Sequence, residues 1–298
     1  MINDRLIDAG EIPIAVRDFG GDGRPLLLLH GAGGNLAAMT PLARALRARH
    51  RVVTVDLRGH GRSGDAAFTW DAAVADLAAV AVHLGLERPA VVGHALGGML
   101  AALWGSRHPD SPGVVSLDGT PPPMRTEQLP GLASAAEELV RLHDRFGVRS
   151  PGVVPTGEVP ALVDQRRAAA RDAGLPEKTA AEALRRNLVT VGGETAIRPS
   201  PEITEQLWRA VSTFDPYPVY AATTCPLLLV QATRDRPDQE PFAGLYAAYR
   251  QWVDAQVERA AKRAPRMRAV RLADATHDMT DEHPAVLADL IGTFLTAR

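Results

Sequence analysis

Five short stretches of this chain place chemically capable groups beside glycines or at the ends of apolar runs. The first, Val91-Val92-Gly93-His94-Ala95-Leu96-Gly97-Gly98, carries an apolar strand into a glycine-rich turn and then a helix. The second is Leu29-His30-Gly31-Ala32-Gly33-Gly34-Asn35, whose glycines leave main-chain N–H groups unobstructed. Bare N–H groups of this kind can hold a negative charge that develops on oxygen. The third, Ala275-Thr276-His277-Asp278-Met279, sets an imidazole between the last strand and the last helix, and histidine takes up and returns protons near neutral pH. Carboxylates able to orient such an imidazole end two further apolar runs, Asp235 after residues 225–232 and Asp118 in Ser116-Leu117-Asp118-Gly119-Thr120. Proton transfer and oxyanion stabilisation together suit attack on a carbonyl group. The residue at the centre of the first turn, Ala95, has no atom that can make that attack.

The elements that must position these residues follow from the hydrophobic pattern. Through the first 118 residues, short apolar runs alternate with amphipathic stretches, the pattern of strands and crossover helices around a mainly parallel sheet. Strands are expected at 12–18, 25–30, 51–56, 90–93 and 113–117, with helices at 36–49, 69–84 and 96–108. Thr69 suits the N-cap of the second helix. From 119 to 224 the rhythm changes: Pro121, Pro122 and Pro123 cluster, and helical stretches such as 126–145 and 178–191 follow without strands between them. This predicts a helical insertion. Strand and helix alternation then resumes with strands at 226–231 and 268–272 and helices at 241–263 and 283–296. The division expected is a core domain from 1–118 and 225–298 with a lid or cap from 119–224.

Taken together, the motifs resemble the α/β-hydrolase superfamily. Gly93 to Gly98 is similar to its nucleophile elbow, in which a sharp strand-to-helix turn lifts one side chain into the active site. The resemblance implies an eight-stranded, mostly parallel α/β-hydrolase sheet flanked by helices. It implies serine at position 95, where this chain has alanine, and an oxyanion hole from the N–H groups of Ala32 and Leu96. His277 stands where the fold delivers its catalytic base. Asp235 is preferred as the orienting acid because the order nucleophile, acid, histidine then matches the superfamily; Asp118 is the rival, which otherwise shapes the pocket floor or meets a substrate hydroxyl. Gly31, Gly33, His94 and Met279 are expected to contact substrate. The stretch from Asp56 to Ser63 resembles the turn after the fourth strand, with Asp56, Arg58 and Arg62 bracing loops beside the site.

The function implied is cleavage of an ester, lactone or thioester by acyl transfer, in a form that binds substrate but scarcely turns it over. The alanine reads as a serine replaced so that ligand is held unconverted, or as the residue of a natural non-hydrolytic member; the first is preferred because a single change accounts for it. Two other classes stay open: a lyase or cofactor-free enzyme using a His–Asp dyad as general base, and a non-catalytic binding member of the fold. Epoxide hydrolases and dehalogenases are disfavoured, because their elbow usually has tryptophan after its aspartate and this chain has Leu96.

Composition narrows the partners. A chain of 298 residues with 46 % hydrophobic content and a formal net charge of −2 has no overall basic field for nucleic acid. The expected partner is a small, mainly apolar molecule, with no cofactor, metal or membrane, and a homodimer stays open. The single cysteine, Cys225, forms no internal disulfide and precedes an apolar strand, which suits a buried structural thiol in a reducing, cytoplasmic setting. No basic segment followed by an apolar stretch opens the chain, so no signal peptide is expected.

Overall fold

A computed structural model describes residues 3–147, 152–191 and 193–296. The first half of the core runs β1 (Asn3–Asp8), β2 (Pro13–Gly20), β3 (Arg24–Leu29), α1 (Thr40–Leu46), β4 (His50–Val55), α2 (Trp70–His83), β5 (Ala90–His94), α3 (Leu96–Arg107) and β6 (Val114–Leu117). The segment from 119 to 224 holds α4 (Ala135–Phe146), β7 (Val153–Pro155), α5 (Val159–Asp172), α6 (Glu177–Arg186), β8 (Leu188–Val191), β9 (Glu194–Ile197), α7 (Pro201–Thr213) and α8 (Pro216–Ala222). The chain then completes the core with β10 (Leu227–Ala232), α9 (Ala243–Ala261), β11 (Met267–Leu272), α10 (Met279–Glu282) and α11 (Pro284–Thr296).

The core sheet has eight strands in the order β1-β2-β4-β3-β5-β6-β10-β11. The β1/β2 and β2/β4 pairs are antiparallel, and the remaining neighbours are parallel. Both faces of the parallel strands are covered, which is why they read as unbroken apolar runs. Alternate side chains feed two cores. Leu27, Leu29, Val53, Val91 and Leu229 pack with α2, α3 and α9, while Leu26, Leu28, Val52, Val92 and Val230 pack with α1 and α11. Cys225 is buried in the first of these.

The strand and helix order of the core follows the sequence pattern, and Thr69 caps α2 by accepting from the Ala72 N–H. Three differences have local causes. The strand β1, whose residues Asn3 to Asp8 are largely polar, forms on the edge of the sheet and pairs residue for residue with β2. The expected helix at 126–145 is two pieces, a short 3-10 turn at Thr126–Gln128 and α4, because Pro130 and Gly131 stand between them. The expected helix at 178–191 ends at Arg186, and Leu188–Val191 becomes β8 in a three-stranded antiparallel sheet ordered β7-β9-β8. β-Branched Val and Thr residues in β8 and β9 favour that pairing. No helix among the described residues is long and apolar enough to cross a membrane.

The turn after β4 is held by charge inside the protein. The Arg58 side chain is 2 % exposed and forks onto Asp76 of α2, with Nε 2.8 Å from Oδ2 and Nη2 3.0 Å from Oδ1. A buried guanidinium that loses its carboxylate keeps its desolvation cost without compensation. Asp76→Ala is expected to destabilise by about 3–5 kcal/mol in urea unfolding, and Arg58→Met in the same chain to recover part of that loss; a loss under about 1 kcal/mol contradicts this reading.

Candidate active site

The turn between β5 and α3 is built by close backbone approach. A Cβ on Gly93 would lie 1.9 Å from the Gly97 carbonyl oxygen, and one on Gly97 would lie 2.5 Å from that of Leu29. Only glycine fits at either place. Between them Ala95 takes φ 50° and ψ −114°, a left-handed conformation that costs an alanine about 1–3 kcal/mol. Main-chain bonds pin it from two sides: Ala95 N–H donates to the Leu117 carbonyl at 2.9 Å, and Gly97 N–H donates to that of His30 at 3.1 Å. The turn is thereby fastened to the ends of β6 and β3.

Gly31 lies directly against this turn, since a Cβ there would sit 3.2 Å from the Cβ of Ala95. The Ala32 and Leu96 N–H groups take no hydrogen-bond partner among the described residues. Gly33 is different from expectation. Its N–H donates to His60 Nε2 at 3.2 Å and its carbonyl accepts from Asn187 Nδ2 at 2.9 Å, so both of its main-chain polar groups are engaged within the protein although the residue itself is exposed. Two buried neutral histidines set this loop. His30 Nε2 accepts from Leu57 N–H at 3.0 Å, which places its proton on Nδ1 to donate to the Gly31 carbonyl at 2.7 Å. His60 likewise donates from Nδ1 to the Arg58 carbonyl at 2.9 Å. Burial pushes His30 down to about 4 and His60 down to about 3, so both stay uncharged at neutral pH.

The acid beside His277 is Asp118. His277 Nδ1 lies 2.7 Å from Asp118 Oδ2, while Asp118 Oδ1 accepts from the Ala232 N–H at 3.1 Å. Burial opposes charge on both groups. Their hydrogen bond and mutual attraction outweigh it, lowering the Asp118 carboxyl and raising the His277 imidazolium relative to their ordinary values. Asp235, the preferred carboxylate on grounds of chain order, is instead paired with Arg250 of α9. The correction has a plain cause: β6 lies next to β5 in the sheet, so its end reaches the space beside Ala95 first, and the cation on α9 claims the later carboxylate.

His94 and Met279 also differ from the roles expected for them. His94 Nε2 donates to the His277 carbonyl at 2.7 Å and its ring lies 4.6 Å from that of His277. Burial, aided by the nearby His277, pushes it down to about 3. It is a neutral brace under the loop that carries the base. Met279 is fully buried in the second core with Leu28, Met39 and Leu287, which takes it away from a substrate surface.

Sequence reasoning missed the residues that join the 119–224 segment to this loop. Asn187, just past α6, bridges three partners: its Oδ1 accepts from Asn35 Nδ2 at 2.9 Å and Gly61 N–H at 3.2 Å, and its Nδ2 donates to the Gly33 carbonyl. Beside it, Arg186 is 3 % exposed and reaches Asp56 at 2.8 Å and Asp4 at 2.5 Å. Asp56 also accepts from the N–H groups of Leu36 and Arg62. The expected brace at Asp56 and Arg58 is therefore present, whereas the Arg62 side chain is 66 % exposed, reaches Asp4 only at 4.0 Å and meets Asp56 through its main chain. Asn35 and Asp56 stood in the quoted motifs; nothing in an amphipathic helix end marked Asn187 as their partner. The carboxylate assignment can be read by NMR titration of the His277 ring. Its midpoint is expected above the ordinary value of about 6.5, to fall in Asp118→Asn and to hold in Asp235→Asn; the reverse pattern restores Asp235.

An imidazole hydrogen-bonded to a carboxylate, two free N–H groups and a strained strand-to-helix turn can together move a proton and hold an oxyanion. Residues 26–290 match the Alpha/beta hydrolase family. The chain is 30 % identical over 216 residues to the sn-1-specific diacylglycerol lipase ABHD11 of Mus musculus, covering 70 % of this chain and 66 % of that one. It is 38 % identical over 120 residues to a fluoroacetate dehalogenase of a Burkholderia species, covering 38 % of each chain. It is also 43 % identical over 103 residues to the pimeloyl-[acyl-carrier protein] methyl ester esterase of Chromobacterium violaceum, covering 34 % of this chain and 39 % of that one. These alignments leave a third or more of each relative unmatched. The solved structure of E-2-(acetamidomethylene)succinate hydrolase superposes with a TM-score of 0.75 at 24 % identity over 100 % of both chains. A thioesterase domain from the curacin biosynthetic pathway does so with a TM-score of 0.71 at 19 % identity, over 98 % of this chain and 99 % of that one. The chain belongs to the α/β-hydrolase family.

Proposed function

We propose that this chain holds an ester, thioester or lactone in an acyl-transfer site from which the nucleophile is missing. The observation that carries the proposal is the conformation of Ala95 at φ 50° and ψ −114°, retained beside an intact His277–Asp118 pair. Alanine gains nothing from that conformation. Its cost is understandable where the turn exists to present a side chain. With serine at position 95, His277 Nε2 takes the hydroxyl proton as the oxygen attacks the carbonyl carbon. The N–H groups of Ala32 and Leu96 hold the resulting oxyanion, and Asp118 stabilises the imidazolium. His277 then returns the proton to the leaving alcohol or thiol, and water repeats the cycle to release the acid. With alanine there, the substrate-holding groups remain and the covalent step is lost. Residues 119–224 act as a lid over the entrance and, through their Leu, Val and Pro content, favour a mainly apolar acyl group.

A second reading rests on the same dyad. His277 and Asp118 keep their hydrogen bond without a nucleophile to activate, as a general base acting directly on a bound substrate requires.

The two readings part on one substitution. Ala95→Ser is expected to be labelled by a fluorophosphonate and to hydrolyse p-nitrophenyl esters, with turnover above the alanine form by up to about a million-fold. Equal ester hydrolysis by both forms overturns the acyl-transfer proposal in favour of the dyad. Activity on fluoroacetate or an epoxide that appears only in Ala95→Asp overturns it in favour of the dehalogenase class represented among the relatives.

A further inference from the structure

The parallel strands place the candidate active site at their C-terminal ends, and their N-terminal ends bear a second, chemically different concavity. It is an open cleft of about 550 Å³. Arg24, Arg49, His50, Arg88 and Arg266 line it, and Asp110 is its one carboxylate. Each of these stands at or just before the start of a parallel strand or its neighbouring turn. A strand of five or six residues spans roughly 17–20 Å, so this cleft and the Ala95 turn are separated by the thickness of the sheet along its strands.

The positive charge is only partly neutralised within the protein. Arg24 and Arg266 take no ion pair among the described residues. Arg88 is oriented by the main chain, with Nε 3.0 Å and Nη2 2.8 Å from the Asp110 carbonyl oxygen, and stands 3.7 Å from the Asp110 carboxylate. Arg49 meets Asp289 at 3.2 Å on the outer rim. A chain with a formal net charge of −2 therefore gathers four arginines around a single cleft against Asp110 within it and Asp289 on its rim.

A buried polar group adds a second, independent sign. The His50 residue is 4 % exposed, and neither ring nitrogen makes a hydrogen bond of good geometry; its polar neighbour is the Arg24 main chain. Buried polar groups left in this condition ordinarily meet a partner. His50 and Arg24 stand opposite each other in the β4/β3 register, and Arg88 precedes β5, the next strand over. Those three sit on adjacent strands at one end of the cleft. Pro112 and Pro226 form an apolar wall toward Arg266, which precedes β11 on the far side.

We propose that this cleft is a binding site for a small phosphate-bearing organic molecule, with the phosphate between Arg24 and Arg88, above the buried His50, and the organic part along Pro112 and Pro226 toward Arg266. Guanidinium groups match phosphate oxygens by paired hydrogen bonds, and the proline wall suits an uncharged portion that inorganic salt lacks. The site is independent of residue 95 and of the reading given for it.

Phenyl phosphate is the probe, titrated calorimetrically into the full chain at constant ionic strength, with inorganic phosphate run alongside; binding of inorganic phosphate as tight as that of phenyl phosphate overturns the organic part of the proposal. The expected result is one saturable site whose affinity drops at least tenfold in Arg24→Gln/Arg88→Gln. Both arginines are exposed, so the fold tolerates their replacement. The affinity is expected to hold in Arg209→Gln/Arg263→Gln, which removes the same charge from exposed positions elsewhere. An unsaturable signal, or equal weakening in both double variants, overturns the proposal by reducing the effect to general charge attraction.

Discussion

The chain turns from β5 into α3 across one residue, and it can do so only because Gly93 and Gly97 approach closer than any side chain permits. That contact forces Ala95 into the left-handed region and aims its neighbours. The N–H of Gly97 goes back to β3 and that of Ala95 across to β6, while that of Leu96 is left without a partner among the described residues. Every other part of the candidate site is referred to this turn: Gly31 abuts the methyl group, His94 beneath it carries the carbonyl of His277, and Leu117, which accepts from Ala95, is followed by Asp118.

Around that constraint the protein arranges histidines that stay uncharged at neutral pH and one imidazole whose proton affinity a carboxylate raises. His30 and His60 are buried and His94 is half-buried; all three are hydrogen-bonded and driven below the usual imidazole range, so they act as fixed struts at neutral pH. His277 alone among these is raised, because Asp118 faces it. The separation is what proton transfer at a single imidazole needs: neighbours that neither compete for the proton nor repel it. The Arg186–Asp56–Asp4 and Asn187–Asn35–Gly33 contacts then tie the 119–224 segment to the loop bearing the free Ala32 N–H. The 119–224 segment and the glycine-rich loop after β3 are joined by polar contacts that neither makes alone.

Much of this was legible in the residues themselves. The apolar runs of β3, β5 and β10 mark strands buried on both faces, and glycines at 93, 97 and 98 mark the turn, because short-range sterics act on neighbours in sequence. The acid was not legible. Choosing between Asp118 and Asp235 depends on which strand lies beside β5, and on an arginine 15 residues further along, on α9, pairing with Asp235. Gly33 and Met279 were misplaced for a related reason: a glycine in a glycine-rich loop and a methionine beside the base look available until His60, Asn187 and the second core are seen to occupy them. The strand β8 was hidden within a stretch whose helical periodicity ran past its true end at Arg186.

The central claim is geometric: a substrate carbonyl lies at the Ala95 methyl with its oxygen between two main-chain donors. The most direct measurement is a crystal structure of the unaltered chain soaked with an ester that the missing nucleophile leaves intact. The expected result is a carbonyl oxygen about 2.7–3.1 Å from both the Ala32 and Leu96 nitrogens, with the His277 ring on the side of the leaving group. An ester bound with its carbonyl away from both nitrogens, or those N–H groups found bonded within the protein, contradicts the account.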